Sequence, residues 1–261
     1  AGFYLSAQTI SVGVVGPGHV GAVLIEQLRE AAPRLRAQFG IDLRVRAISG
    51  SRRLATSETG IDLAHWRDTY AQAGDGDLDA FAKHVHASHL PHALIADCSA
   101  SPLVAAQYPK WLSQGIHIVT PNKQAGSGPI ARYRDILANA RESGARFRYE
   151  ATVGAGLPII STLRDLIDTG DRIDRIEGMF SGTLAFLFNR FDGTQPFSAL
   201  VREAKQLGYT EPDPRDDLDG RDVARKLVIL ARELGLATEL ADVEVDSLVP
   251  AELAAGSIDD F

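Results

Sequence analysis

The feature that most constrains the fold is a glycine-rich turn near the N-terminus, Gly-Pro-Gly-His-Val-Gly at residues 16–21. It follows Thr9–Val15, a run rich in β-branched residues that is typical of a buried strand. A helical periodicity comes next and is expected to end near Pro33. The apolar side chains on one face of that helix are Val20, Val23, Leu24 and Leu28. A strand, a G-x-G-x-x-G turn and a helix in this order predict the first βαβ unit of a parallel sheet.

The three glycines of this turn have separate physical tasks. Gly16 permits the tight turn, Gly18 lets a pyrophosphate approach the backbone, and Gly21 lets the helix pack closely on the strand. His19 and Val20 lie between them at the helix start, where free backbone N–H groups attract anions. We therefore predict a dinucleotide site that includes all five residues.

The end of the next predicted strand, Leu43–Ile48, indicates which dinucleotide is favoured. A NAD site usually places an acidic residue here to bind the ribose 2′-hydroxyl. This chain has no acid at that point and continues through Gly50 to Arg52 and Arg53, whose guanidinium groups suit a 2′-phosphate. The pattern favours NADP over NAD, with two solvated loop arginines as the alternative interpretation.

Strands and helices continue to alternate as far as Glu150. We predict further strands at 94–98, 117–120 and 146–151, and helices at 63–71, 78–87, 101–115 and 129–143. Such alternation is typical of a doubly wound, Rossmann-type parallel sheet that binds its ligand at the carboxyl ends of the strands. Ser99, Ser101 and Lys123 follow strand ends and are predicted to lie at this site. Residues 10–150 are interpreted as the dinucleotide-binding domain of an α/β protein.

Beyond Glu150 the pattern changes to one dominated by helices. Only residues 172–180 read as a clear strand, and 243–245 as a second candidate. Because a sheet of one or two strands is rarely stable alone, the second domain, 151–261, is either mostly helical or incomplete. We expect a smaller, C-terminally truncated α+β domain.

The second domain carries an unusually charged segment, residues 208–230. Pro212 and Pro214 stiffen its first half, whereas a solvated acidic tail needs no fixed geometry. Asp222 and Lys226 are spaced i, i+4 on the following helix, so their side chains meet on one face at the margin of the core. On a helical wheel the apolar stripe is Val223, Leu227, Leu230 and Leu234, and the opposite face carries Arg221, Arg225 and Arg232. A solvated charged surface is the alternative interpretation of this segment.

Two metal sites are disfavoured by residue type and spacing. An EF-hand loop in frame with Gly220 would place Arg215 at its first ligand position and Lys226 at its twelfth. Four histidines occur close together without a cysteine or carboxylate among them: His84, His86, His89 and His92. We interpret them as part of a hydrated helix end.

Charge and cysteine content exclude several classes of partner. A formal net charge of −7 argues against nucleic acid or an anionic membrane as the main partner. No apolar run is long enough for a transmembrane helix. The single cysteine, Cys98, excludes an internal disulfide and suits a reducing compartment, so a cytoplasmic location is expected.

These motifs together resemble the homoserine dehydrogenase family. The matching segments, in order, are GPGHVG at 16–21, TPNK at 120–123, EATVGAGLP at 150–158, SGT at 181–183 and GYTEPDPRDDLDGRDVARKL at 208–227. The resemblance implies the NAD(P)H-dependent interconversion of L-aspartate 4-semialdehyde and L-homoserine, on the route to threonine and methionine. A sugar-dehydrogenase type of Rossmann oxidoreductase shares only the glycine turn.

The resemblance also implies residue roles. Glu211 and Asp217 would bind the substrate ammonium, and the SGT motif adds Gly182 and Thr183 to the substrate site. Lys226 would relay a proton at the carbonyl oxygen, oriented by Asp222, and Lys123 would stabilise developing negative charge beside the cofactor. A monovalent cation, Na⁺ or K⁺, would be held by Glu150 and by backbone carbonyls of Val153, Ala155 and Leu157.

Further expectations concern the rest of the native protein. Residues 1–9 resemble the linker that follows the aspartokinase portion of bifunctional aspartokinase–homoserine dehydrogenases, which implies an aspartokinase domain on the same chain. Family members continue past the position of Phe261, so this chain is expected to be a fragment. A homodimer or higher homo-oligomer is also expected. The alternative hypothesis is a catalytically incomplete, nucleotide-binding structural module of a larger enzyme.

Overall fold

The computed structural model describes residues 8–258 of the chain. Its contacts divide the chain into two compact units. The first unit comprises residues 1–125 and 131–155, and the second comprises 126–130 and 156–261. Gln8 and Thr9 already belong to the first strand, and the remainder of the expected linker lies outside the described residues.

The first unit is built on a six-stranded sheet. Its strands are β1 (Gln8–Val15), β2 (Ile41–Ser49), β3 (Leu54–Thr56), β4 (His92–Asp97), β5 (His117–Val119) and β6 (Phe147–Arg148). They lie in the order β3-β2-β1-β4-β5-β6. All neighbours are parallel except β3, a short edge strand antiparallel to β2 that the sequence pattern does not predict. The expectation of a doubly wound, Rossmann-type sheet is confirmed, and its strand order reverses between β1 and β4.

Within residues 8–258, seven helices accompany these strands. They are α1 (His19–Phe39), α2 (Trp66–Ala71), α3 (Leu78–Val85), α4 (Pro102–Ala105), α5 (Tyr108–Ser113), α6 (Lys123–Ser127) and α7 (Ile130–Ser143). The expected end of α1 near Pro33 is wrong, because the helix continues to Phe39 and ends where Gly40 takes a left-handed conformation. Pro33 is exposed and removes only one backbone hydrogen bond. The single helix expected over 101–115 is instead the two short helices α4 and α5.

A continuous apolar core joins α1 to the sheet. Val12 and Val14 of β1, Ile25 of α1 and Ile48 of β2 are all buried in one cluster. Burying each such side chain stabilises the fold by roughly 1.5–3 kcal/mol relative to leaving it exposed. This packing fixes the start of α1 beside the carboxyl end of β1.

The second unit is helical within its described residues. Its helices are α8 (Ile159–Asp168), α9 (Gly182–Arg190), α10 (Phe197–Gln206), α11 (Arg215–Leu218) and α12 (Arg221–Glu233). Single 3-10 turns follow at Leu240–Asp242 and Ala251–Leu253. Leu187 of α9, Leu200 of α10 and Leu218 of α11 are buried together in its core.

The strands expected at 172–180 and 243–245 are not formed. Both segments lack regular secondary structure, and no strand is present elsewhere in the described part of the second unit. A strand is stabilised by hydrogen bonds to a neighbouring strand, so β propensity without a partner does not suffice.

The helical wheel predicts the burial of α12 only in part, since Val223, Leu227 and Leu234 of the predicted stripe are half-buried. Leu230 is buried as expected, and the most buried residues beside it are Ala224, Val228 and Ile229. Arg232, expected on the polar face, is only 4% exposed. Its guanidinium donates to Gly126 O (2.7 Å) and Thr238 O (3.0 Å), and pairs with Glu239 (3.2 Å). Other segments of the second unit cover that face at the last turn, which a wheel cannot reveal.

Within residues 8–258, none of the helices combines the length and apolar character needed to cross a bilayer.

Candidate active site

The glycine turn has the geometry that its sequence predicts. Gly16 has φ +79°, and a Cβ there would lie 2.9 Å from the backbone nitrogen of Ser99. A Cβ on Gly21 would lie 2.2 Å from Gly16 O, so only glycine lets α1 start this close to β1. Gly18, the N-cap of α1, provides no side-chain cap, which leaves the N–H groups of the first turn available to an anion.

A cavity of about 650 Å³ lies along this turn. Its lining residues at the carboxyl ends of β1, β2 and β4 are Val15, Gly16, Ser49, Gly50, Ser51, Ser99 and Ser101. It therefore brings together three residues predicted for cofactor binding, Gly16, Ser99 and Ser101. Their convergence at the reversal of strand order is the position at which doubly wound sheets bind ligands.

The two arginines predicted to favour NADP do not line this cavity. Both are exposed, and Arg53 Nη1 donates to Ala71 O at 2.7 Å. The backbone carbonyl of Arg52 accepts from Gly76 N at 3.0 Å, but its side chain forms no hydrogen bond or ion pair within the described part of the chain. Of the two arginines, Arg53 thus has a guanidinium group engaged by the fold, whereas the guanidinium group of Arg52 is not engaged.

A second, largely apolar cavity of about 570 Å³ lies on the other side of the turn, over β4, β5 and β6. His19 and Val20 of α1 line it, together with Cys98 and Glu150. The predicted cofactor residues thus fall on both sides of the glycine turn. An elongated ligand crossing the turn would contact both groups.

Cys98 provides a chemical probe of this second cavity. Burial, and secondarily the charge of Asp97, raise the pKa of its thiol from 9.0 to about 11. Since the thiolate is the nucleophile, we expect alkylation by N-ethylmaleimide at pH 8 to be roughly 100-fold slower than in the unfolded chain. Mass spectrometry of the single cysteine, with a urea-unfolded control, measures this. Equal rates in both states would contradict the stated environment.

Lys123 is the first residue of α6 and follows the loop after β5 directly. It is half-buried and lines neither cavity of the first unit. The loop before it is fixed by Asn122, whose Oδ1 accepts from the N–H of Gln124 at 3.0 Å.

The residues expected to hold a cation start in the first unit. Glu150 opens a 3-10 turn, Val153 is buried, and Ala155 has φ +50°, the one positive φ outside glycine in the described chain. A left-handed alanine costs roughly 1–2 kcal/mol and redirects the neighbouring carbonyls. Leu157 belongs to the second unit and is 61% exposed.

The second unit has a cavity of its own, about 540 Å³ in volume. Its lining residues are Ser181, Gly182, Thr183, Phe186, Gly208, Tyr209, Asp217, Asp222 and Lys226. Five of these are residues to which the family resemblance gives a role in substrate binding or catalysis. The start of α9, helix α11 and the first two turns of α12 supply them.

Lys226 is held tightly in this cavity. Its ammonium nitrogen donates to Asp222 Oδ2 and to Phe180 O, both at 2.6 Å, and its side chain is 14% exposed. An ammonium group has three donors, so one N–H remains for another acceptor. The pair expected from the i, i+4 spacing is formed.

Asp217 presents its carboxylate to the same cavity. It lies 2.8 Å from the hydroxyl of Thr183 and accepts the backbone N–H of Glu211 at 2.7 Å. Thr183 Oγ1 is also 2.7 Å from Tyr209 O, and its one proton serves one of these acceptors at a time. The carboxylate therefore keeps accepting capacity. The Glu211 side chain is exposed and does not line the cavity.

Two residues of this site carry no sequence signal of their own role. Phe180 contributes only its backbone carbonyl, which any residue type would supply. Tyr209 lies within the charged segment, two residues before Glu211, but an aromatic residue at that position is typical of an ordinary loop. Ser181 caps α9 by accepting from Leu184 N, which its place before a helix does predict.

The sheet order and glycine turn of the first unit define a Rossmann-type dinucleotide-binding protein, with a second unit that carries a lysine–carboxylate site. Family models narrow this class. The model "Homoserine dehydrogenase, NAD binding domain" matches residues 16–150, and the model "Homoserine dehydrogenase" matches 158–259. The chain belongs to the homoserine dehydrogenase family.

Relatives and solved structures agree with this assignment. The chain is 44% identical to homoserine dehydrogenase of Schizosaccharomyces pombe, covering 95% of this chain and 68% of that protein. It is 52% identical to bifunctional aspartokinase/homoserine dehydrogenase 2, chloroplastic, of Arabidopsis thaliana, covering 99% of this chain but only 29% of that protein. A hyperthermophilic archaeal homoserine dehydrogenase in complex with NADPH matches with a TM-score of 0.73 and 25% identity, over 87% of this chain and 70% of the other. The chain thus spans less than a third of the length of the bifunctional relatives.

Proposed function

We propose that the chain is the dehydrogenase portion of a homoserine dehydrogenase, interconverting L-aspartate 4-semialdehyde and L-homoserine with NAD(P)H. The observation that carries the proposal is the cavity in which Lys226, Asp222 and Asp217 meet. A Rossmann-type unit supplies the cofactor site that this chemistry needs, and the family models cover both units.

Asp217 and Glu211 bind the substrate ammonium in this proposal. A carboxylate fixed by Thr183 and by a backbone N–H is oriented before substrate arrives, which lowers the cost of binding. Gly182, which also lines the cavity, allows the substrate to approach the backbone at the start of α9.

Lys226 is the proton donor in this proposal. When bound, NADPH supplies a hydride for the carbonyl carbon of the semialdehyde. The ammonium of Lys226 donates a proton to the carbonyl oxygen as that carbon is reduced, which yields the hydroxyl of homoserine. Asp222 and Phe180 O hold the ammonium nitrogen in place.

Lys123 is assigned to charge stabilisation near the reacting carbonyl. Its place directly after the loop at the end of β5 supports this role, because the cofactor is expected along the carboxyl ends of the strands. Gly16, Gly18, His19, Val20 and Gly21 bind the pyrophosphate region in this proposal, with Ser99 and Ser101 beside them.

A monovalent cation, Na⁺ or K⁺, is part of the proposal in a structural role. Glu150 and the carbonyls of Val153, Ala155 and Leu157 would hold it. The left-handed Ala155 supports the assignment, because a non-glycine residue adopts that conformation at a cost and turns its carbonyl away from the regular path.

Two proposals concern the larger protein. The bifunctional relatives support an aspartokinase domain on the same native chain. A homo-oligomer in the cytoplasm is proposed as well, with the free Cys98 in agreement with a reducing compartment.

The test is a steady-state assay of NADPH and NADH oxidation with aspartate semialdehyde. We expect turnover with both cofactors and a lower KM for NADPH. Replacing Arg52 with alanine removes the unengaged guanidinium, and we expect the KM for NADPH to rise roughly tenfold while that for NADH is unchanged, since a charge-assisted contact contributes about 1.5–3 kcal/mol.

Arg36→Ala, at the exposed last turn of α1, is the matched control for loss of one positive charge. An equal effect of both substitutions would show that only net charge matters. Binding of NADPH without any turnover would instead favour the alternative of a catalytically incomplete structural module.

A further inference from the structure

A buried carboxylate, to which no role has been assigned above, lies at the end of β4. Asp97 is fully buried, with 0% exposure. Its Oδ1 accepts from Ser99 N at 2.8 Å, and its Oδ2 accepts from Tyr108 OH at 2.6 Å and Asn122 Nδ2 at 2.9 Å. No basic side chain within residues 8–258 forms an ion pair with it. Three hydrogen-bond donors alone thus compensate its desolvation.

The donors come from three different segments of the first unit. Ser99 belongs to the loop after β4, Tyr108 begins α5, and Asn122 belongs to the loop after β5. Burial, together with the charge of Asp97, raises the pKa of Tyr108, so its hydroxyl stays protonated and remains a donor at neutral pH. One side chain therefore joins three elements at the edge of the sheet.

A second layer of hydrogen bonds makes the connection rigid. Thr120 Oγ1 donates to the backbone carbonyl of Asp97 at 2.8 Å and accepts from Asn122 N at 2.8 Å. Asn122 Nδ2 also donates to Ser101 O at 3.0 Å. The loops after β4 and β5 are thus fixed to each other through both side chains and backbone.

These two loops carry residues of the proposed cofactor site. Ser99 and Ser101 line the cavity beside Gly16, and Lys123 follows Asn122 directly. Any loss of the Asp97 contacts allows both loops to move relative to the glycine turn, which belongs to the neighbouring strand β1. A displacement of that kind weakens binding without touching a binding residue.

We propose that Asp97 is a positioning residue of the dinucleotide site, which holds the loops after β4 and β5 in their binding geometry through Ser99 and Asn122. The proposal rests on the proposed function, because it assumes that the cavity beside Gly16 binds NADPH.

The test substitutes Asp97 with asparagine, which has the same shape. The amide NH₂ of the new asparagine must face either Ser99 N–H or the donors of Tyr108 and Asn122. On that side two hydrogen-bond donors face each other and a hydrogen bond is lost. We expect the Kd for NADPH, measured by fluorescence titration of the 261-residue chain, to rise roughly tenfold.

Arg46→Lys is the control for a merely structural effect. Arg46 is also buried in the sheet of the first unit, where it bonds to Glu58 and to His84 O, and it contacts neither loop. We expect this variant to lose thermal stability but to keep the parental Kd at a temperature where all variants are folded. Should Asp97→Asn fail to fold, Tyr108→Phe removes one donor and is expected to raise the Kd two- to threefold.

Two results would overturn the proposal: a parental Kd in folded Asp97→Asn (or, where that variant does not fold, in Tyr108→Phe), or an equal loss of affinity in Arg46→Lys. Failure of the unsubstituted chain to bind NADPH would instead count against the proposed function.

Discussion

Replacing Lys226 with methionine is expected to lower kcat for aspartate semialdehyde reduction about 1,000-fold, in the range that a general acid contributes. Methionine keeps the apolar stem of a side chain that is only 14% exposed, but it removes the ammonium that contacts Asp222 and Phe180 O. The loss should fall on kcat more than on KM, because the proton is transferred in the transition state. Stopped assays of homoserine formation at saturating NADPH measure it.

Lys205→Met is the matched control. Lys205 is an exposed lysine of α10, in the same unit but outside the cavity that contains Lys226. It should retain parental turnover, and both variants should bind NADPH as the parent does. Turnover of folded Lys226→Met within about threefold of the parent would rule out the proposed proton donor.

The second large effect is expected from Gly21→Ala. The new Cβ would lie 2.2 Å from Gly16 O, a backbone atom that cannot rotate away. Forcing α1 from β1 should destabilise the chain by about 1–3 kcal/mol and displace the first turn of the helix. We expect the Kd for NADPH to rise roughly 100-fold, the equivalent of about 2.7 kcal/mol.

Alanine variants of two further glycines distinguish a packing clash from a lost contact with the ligand. Apart from its two chain neighbours, a Cβ on Gly18 meets no atom of residues 8–258 within 4 Å, so Gly18→Ala should fold normally and weaken NADPH binding only if the pyrophosphate passes there. Gly74→Ala is equally unobstructed and lies outside the turn, so it should change neither property. Calorimetry of unfolding and of NADPH binding distinguishes the three variants. Parental binding by Gly21→Ala would contradict the predicted turn function.

Local pattern explains why much of the first unit was predictable. The glycine spacing, the β-branched runs and the alternation of strands with helices are set by neighbouring residues, and the sheet follows from them. The short edge strand β3 and the course of α1 past Pro33 were not predictable in this way. Each depends on contacts with other elements, which outweigh the local preference of a few residues.

Within the candidate site, the charged segment also has contacts that local sequence pattern does not predict. The spacing of Asp222 and Lys226 on one helix face predicted their ion pair, because i, i+4 geometry is a property of the helix itself. The second acceptor of Lys226, Phe180 O, lies 46 residues earlier, and no periodicity connects the two. The side chain of Glu211 was expected to bind the substrate ammonium together with Asp217, whereas Glu211 contacts Asp217 through its backbone N–H.

The sequence alone determined a Rossmann-type unit with a glycine turn and a second segment with a lysine–carboxylate pair. Both are encoded by residues within one or two turns of each other. Only the tertiary structure decided that Arg232 is buried, that residues 172–180 remain without a partner strand, and that Asp97 joins the loops after β4 and β5. Each of these depends on groups that are distant in sequence, and their hydrogen bonds and burial exist only once the chain has folded.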